Sequence, residues 1–200
     1  MTERPALHTG ADGVARCSWS GDDPEYQRYH DEEWGRPLHG DRALFEKLSL
    51  EAFQSGLSWI TILRRRPTFR AAFADFDITT VAAFDDDDVV RLLADPGIIR
   101  NRAKIDATIA NARTLADLVR DDPGALDRLV WSFAPPARAA ADRPRAFDDV
   151  PAITAESTAA SKQLRKLGFR FVGPTTFYAL MQSAGLVDDH LAGCWRADVA

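Results

Sequence analysis

From Leu44 onward apolar residues recur at three- and four-residue steps: Leu44, Phe45, Leu48, Leu50, Phe53 and Leu57. That spacing puts them on one stripe of a helix, with Asp41 available to cap its start. Trp59–Leu63 extends the apolar face, and Pro67, which has no N–H to give, is expected to end it. A short helix is then expected to start over Thr68–Phe73, and Asp77 can cap the stretch 78–84. Residues 86–93 read as another helix, with three acids in the first turn complementing its dipole. A solvated helix start is preferred there to a metal site.

The Pro96-Gly97 step breaks the pattern. From Arg102 a new face begins, carried by Ile105, Ile109, Ala112, Leu115, Leu118 and Val119. The piece is thus helix, tight glycine hairpin, helix. Residues 125–133 form a short helix, and 134–151, rich in Pro, Ala and Arg, an exposed connection. A helix follows over Thr154–Leu167 with Thr158, Ala159 and Leu164 facing in and Gly168 as its stop; a last one runs from Thr175 to Ala184, stopped by Gly185. Nothing alternates with a period of two, so the fold class is all-α. Residues 1–14 show no period and read as a loose extension, with His8 in solvent, leaving a single domain over 16–200.

Composition adds limits. Among 200 residues, 46% are hydrophobic and 28% charged, as in an ordinary globular protein. No apolar run approaches a membrane span, and residues 1–14 have no signal-peptide core, so a cytoplasmic protein is expected. The 25 basic residues face 30 acidic ones, a net charge of -5, which taken alone argues against a nucleic-acid partner. Position changes this. The windows 64–70, 100–113 and 162–170 hold twelve of the basic residues and a single acid, Asp106. On one shared face they can hold a phosphate backbone in a salt-sensitive way.

The two cysteines, Cys17 and Cys194, lie near opposite ends, too few for a disulfide framework. Each has a histidine nearby, His30 and His190. The step from His190 to Cys194 would put both on one face of a helix. Two thiolates and two imidazoles satisfy tetrahedral zinc, and four protein ligands would make the site structural. Isolated core residues remain the alternative, because spacing does not prove that the ends meet.

Ordered motifs then accumulate: Cys17-Ser18-Trp19; Asp23-Pro24, Tyr26, Tyr29-His30-Asp31, Glu33-Trp34-Gly35; Glu51, Gln54, Gly56-Leu57-Ser58-Trp59. They continue through Gly97-Ile98-Ile99-Arg100, Arg102, Lys104-Ile105, then Trp131-Ser132-Phe133, Ser161-Lys162 and Leu167–Gly173, and close with Met181-Gln182, Gly185-Leu186-Val187, Asp189-His190 and Gly193-Cys194. This pattern, over roughly residues 16–195, resembles the DNA-3-methyladenine glycosylase I family. The resemblance implies a helix-hairpin-helix glycosylase fold, two helical lobes around a cleft, with the hairpin at about 95–106. It implies hydrolysis of the glycosidic bond of 3-methyladenine in alkylated double-stranded DNA, releasing the free base from a monomeric enzyme. Its zinc ligands fall on Cys17, His30, His190 and Cys194, and it implies no organic cofactor.

Glu51 sits between Leu50 and Ala52 on an apolar stretch, where a buried carboxylate needs a partner. A surface glutamate or a salt bridge to arginine is the bland alternative; the resemblance instead places base recognition and catalysis on it. Tyr29 and Trp59, then Tyr26 and Trp19, are the aromatic candidates for a cationic base, whose charge favours electron-rich ring faces. Trp34 and Trp131 are assigned to the core. Gln54–Leu57 is a candidate for filling the gap left by an extruded nucleotide. Gly97, Arg100, Arg102 and Lys104 are the candidates for contacting the DNA backbone. Asp106 lies too early on its helix for a bond-breaking role and reads as solvated. A damage binder that cuts nothing, or a glycosylase for another altered purine, are the rival functions.

Overall fold

The computed structural model of the chain describes residues 5–198; Met1–Arg4 of the expected extension and the last two residues lie outside them. Among the described residues the protein is helical apart from one small ribbon. Strands β1 (Leu7–Thr9) and β2 (Ala15–Cys17) pair antiparallel, with His8 opposite Arg16. The extension read as loose is therefore partly built. Three-residue strands are too short to show a period, and backbone pairing with residues 15–17 orders them. His8 is not free in solvent either: its Nε2 lies 2.6 Å from Asp22.

Nine α-helices follow among the described residues: α1 (Pro24–Glu32), α2 (Asp41–Gln54), α3 (Trp59–Ala72), α4 (Ile78–Ala82), α5 (Asp86–Ala94), α6 (Arg102–Asp121), α7 (Ala125–Trp131), α8 (Ala155–Leu167) and α9 (Pro174–Ser183). Several starts obey their capping chemistry. Asp23, Asp77 and Asn101 accept from backbone N–H groups of their own first turns, and Asp85 caps α5 reciprocally with Asp88. Thr154 and Ser157 do the same for α8, which Gly168 closes at a φ of 105°.

Helix α2 is the centre, packed against α3, α6, α7 and α9. It is buried almost all round, from Leu44 and Phe45 to Ala52 and Phe53. Phe69, Phe73, Ile105, Leu126, Phe177 and Leu180 complete the core around it. A smaller apolar cluster holds Cys17, Leu191 and Cys194.

Four local expectations are corrected. Asp41 does not cap α2; its carboxylate reaches Gly124 and Asp127 N–H groups and caps the start of α7 instead. Pro67 does not end a helix. It lies inside α3, costing one backbone hydrogen bond, and the helix survives on the packing of Ile62, Leu63 and Phe69. On α8 the inward residues are Ser157, Ala160, Ser161 and Leu164, while Thr158 and Ala159 face out. His190 and Cys194 are not on a helix; they sit in the irregular segment after α9.

A candidate site built from an aromatic cavity and a thiol–imidazole cluster

A cavity of about 220 Å³ opens between the N-terminal part of the chain, α2–α3 and α9. Trp19, Tyr26, Tyr29 and Trp59 line it, and Glu51 is in its wall. The rings form a continuous cluster: Trp19 lies 4.9 Å from Tyr26, and Tyr29 lies 5.5 Å from Trp59. Residues far apart in sequence thus converge because α3 packs against both α1 and α2. Trp34, assigned to the core from sequence, is also a lining residue; its ring stands edge-on to Trp19 at 5.1 Å and to His190 at 4.6 Å. Trp131 does belong with the core and donates to the Leu38 carbonyl.

Glu51 is 4% exposed and accepts a 2.8 Å hydrogen bond from the Ser183 hydroxyl of α9. Burial raises its pKa to about 7, against the pull of Lys47 and of Ser183 in the other direction. The site therefore holds a carboxylate poised near neutrality inside an aromatic box. That combination suits a flat cation: ring faces supply quadrupole attraction and the carboxylate supplies charge and hydrogen-bond acceptance.

Sequence reading missed Gln182, Ser183 and Asp189, which complete the cavity with Phe147 and Val150 from the long connection. Asp189 accepts from the Tyr178 hydroxyl at 2.7 Å and from the Gln182 amide at 2.9 Å, and Arg138 lies 2.9 Å away. The Gln182 amide orientation is fixed by that bond, turning its carbonyl oxygen away from Asp189.

Beside the cavity Cys17, His30 and Cys194 are fully buried, with their donor atoms within 4.8 Å of one another, so they can hold a metal ion. A hydrogen bond from Cys17, with help from His30, holds the Cys194 thiol well below the ordinary thiol range. Nδ1 of His30 lies 2.7 Å from Asp31, and Nδ1 of His190 lies 2.7 Å from Asp188. Carboxylates on both Nδ1 atoms free both Nε2 atoms for ligation. Nε2 of His190 is buried with no hydrogen-bond partner, a cost that a bound cation would remove. The two imidazoles stand 4.9 Å apart, edge to face.

The turn between α5 and α6 packs on α3. Gly97 is required there by close approach rather than by a left-handed φ: a Cβ would lie 3.0 Å from Thr68 Cβ. Thr68 donates to the Gly97 carbonyl and Arg65 to that of Pro96, which seats the first basic window on the turn before α6; Asn111 and Arg170 bond reciprocally, which joins the second window to the third. Arg100 and Arg102 are exposed, the latter 3.2 Å from Asp106. Lys104 departs from the expectation. It is buried, and its ammonium donates to the carbonyls of Phe53 and Ser55 at 2.8 and 2.7 Å, filling the C-terminal end of α2. Leu57, four residues past Phe53, is exposed, next to a left-handed Gly56.

The methyladenine glycosylase family model matches residues 19–197. The chain is 45% identical to DNA-3-methyladenine glycosylase 1 of Escherichia coli (strain K12), over 90% of this chain and 96% of that protein. It is 43% identical to DNA-3-methyladenine glycosylase of Haemophilus influenzae, over 90% and 97% respectively. A crystal structure of a 3-methyladenine DNA glycosylase I superposes with a TM-score of 0.85 at 44% identity, covering 90% of this chain and 98% of that one. The Staphylococcus aureus enzyme, in a structure describing its recognition of 3-methyladenine, superposes at 0.82 with 34% identity, covering 90% and 95%.

Proposed function

Because the chain belongs to the methyladenine glycosylase family, we propose that it excises 3-methyladenine from alkylated double-stranded DNA as a monofunctional base-excision glycosylase. The observation that carries this is the buried Glu51 carboxyl in a wall of aromatic rings. Methylation at N3 makes the base cationic and a good leaving group. Water bonds to the sugar C1′ as the C1′–N9 bond breaks; the electron pair leaves with the base, which departs neutral, and the spare proton passes to solvent. Little acid catalysis is needed, so selection by charge suffices.

Each residue then has a task. Glu51 accepts from the exocyclic amine and offsets the positive charge of the base. Tyr29 and Trp59 form one wall against it, and Tyr26 and Trp19 close the far side; each good ring contact with a cation is worth about 0.5–2 kcal/mol over neutral adenine. Leu57, exposed at the turn between α2 and α3, enters the gap left in the duplex. Gly97, Arg100 and Arg102 form the hairpin that meets the DNA backbone, in a helix-hairpin-helix arrangement of α5 and α6. One chain supplies the residues that line the cavity, which supports reading it as a monomeric enzyme, and in this reading it acts in the cytoplasm.

Cys17, His30, His190 and Cys194 hold structural zinc in this reading; the orphaned Nε2 of His190 supports it as the fourth donor. Bound there, zinc supplies a clasp between the two ends of the domain, with no open position for substrate. Base release from methylated duplex DNA, resolved by chromatography, tests the function. Free 3-methyladenine is the expected product. Tight binding without release would replace this reading with the damage-binding one, and release of a different purine would replace the substrate.

A further inference from the structure

Helix α2 carries a second buried charge that sequence reading passed over. Lys47 is 8% exposed, one helical turn before Glu51 and therefore on the same face. Its ammonium lies 5.1 Å from the centroid of the Tyr29 ring and 5.5 Å from that of Trp59. Those rings and Glu51 line the cavity, and Lys47 is not among the lining residues.

The charged groups around Lys47 are Glu33 beyond α1, Arg66 on α3, and Glu46 and Glu51 on α2 itself. Two of the three carboxylates are already committed. Glu33 is held by Arg66 through both guanidinium nitrogens and by Arg28, and Glu46 by Arg70. Glu51 has the neutral hydroxyl of Ser183, with the buried Tyr29 as its other titratable neighbour. The uncommitted anion nearest in role to Lys47 is therefore the cavity carboxylate.

We propose that Lys47 is a positioning residue for base capture: from behind the Tyr29–Trp59 wall its ammonium keeps Glu51 in the carboxylate form that a cationic base requires. This rests on the glycosylase reading. It has a cost, because a cation behind the wall also repels a cation in front of it. Lys47 therefore helps where Glu51 would otherwise be protonated and opposes binding where Glu51 is ionised in any case. The burial that raises Glu51 supports the need for such a partner.

The test uses 3,9-dimethyladeninium, a base that is cationic by alkylation rather than by protonation, and follows tryptophan quenching in wild type and Lys47→Met. Wild-type affinity falls on the acid side. In Lys47→Met the midpoint moves up by roughly 1 pH unit, giving about tenfold weaker binding on the acid side and equal or tighter binding on the alkaline side. Lys47→Arg keeps the charge and the wild-type midpoint. Curves for Lys47→Met that run parallel to wild type at every pH would overturn the proposal, as would an arginine variant shifted as far as the methionine one. Should Lys47→Met not fold, the Nζ resonance of Lys47 in wild type must respond to the titration of Glu51, and a silent resonance would overturn it. A wild type that neither binds the cation nor releases 3-methyladenine removes the glycosylase reading and this one with it; an active wild type with an unmoved midpoint removes this one alone.

Discussion

Ser183 and Glu51, 132 residues apart in the chain, meet where α9 packs on α2, and the serine hydroxyl donates to Glu51 Oε1 at 2.8 Å. A hydrogen bond to a carboxylate favours its ionised form. Ser183→Ala removes it while leaving the buried Phe177, Leu180 and Met181 of α9 in place. The pKa of Glu51 then rises further above about 7. Binding of a cationic base is expected to weaken by about tenfold on the acid side and by less on the alkaline side, as read by fluorescence titration at two pH values.

Glu51→Gln separates function from stability. Its carboxyl has a folded pKa of about 7 against 4.5 for the free side chain. With the folded value raised, the group's stabilising contribution is complete below 4.5 and is lost as pH rises through about 7. A neutral glutamine avoids that loss. The variant is expected to lose base release by at least about a hundredfold. It should also gain on the order of 1–3 kcal/mol of stability at alkaline pH, and nothing in acid. Denaturant unfolding at both pH values, beside single-turnover release, reads both effects; equal stability at both would show that the carboxyl is not buried as described.

Removal of the metal should be felt as stability. Elemental analysis is expected to find one zinc per chain in wild type, and none in Cys17→Ser or Cys194→Ser. Chelation should lower the Tm, by an amount equivalent to about 4 kcal/mol where free zinc had stood a thousandfold above its Kd. A protein with full base release and unchanged Tm after zinc is stripped would show that the cluster does not depend on the ion.

The basic residues of the hairpin should divide into two groups. Arg100→Ala and Arg102→Ala are each expected to weaken duplex binding evenly across sequences and to reduce the salt slope by about 1. Lys104→Met should leave the salt slope alone and lower stability, because it orphans two carbonyls at the end of α2. Binding isotherms over a salt series, with urea unfolding of the same variants, distinguish the two. A changed slope for Lys104→Met would mean that its ammonium reaches phosphate after all.

The sequence was most readable where helices carry one wet face and a local cap. Asp77 before α4 and Gly168 after α8 were readable as caps, and the starts of α5, α6 and α8 fell within a residue of their expected places, because each interaction at these ends spans only a few residues. Helix α2 was harder. It is buried on every side, so its apolar pattern ran on toward Leu57 without marking the break at Ser55–Ser58, and the acid at its start serves α7. The aromatic candidates were visible as motif residues and share a cavity. Lys47 and Ser183 were not, and Gln182 stood in a motif without a role, because each looks like an ordinary helix-surface residue until α2 and α9 are brought together. Lys104 misled for a related reason: a long side chain in a basic window turns inward to carbonyls that become its neighbours only on folding.

That lysine also fixes how force passes through the domain. Its backbone belongs to the first turn of α6, just past the hairpin, and its ammonium grips the last carbonyls of α2, the helix that bears Glu51. The hairpin cannot slide along α2 without breaking both bonds. Where the hairpin meets DNA as proposed, these two bonds tie that surface to the helix that carries the cavity carboxylate.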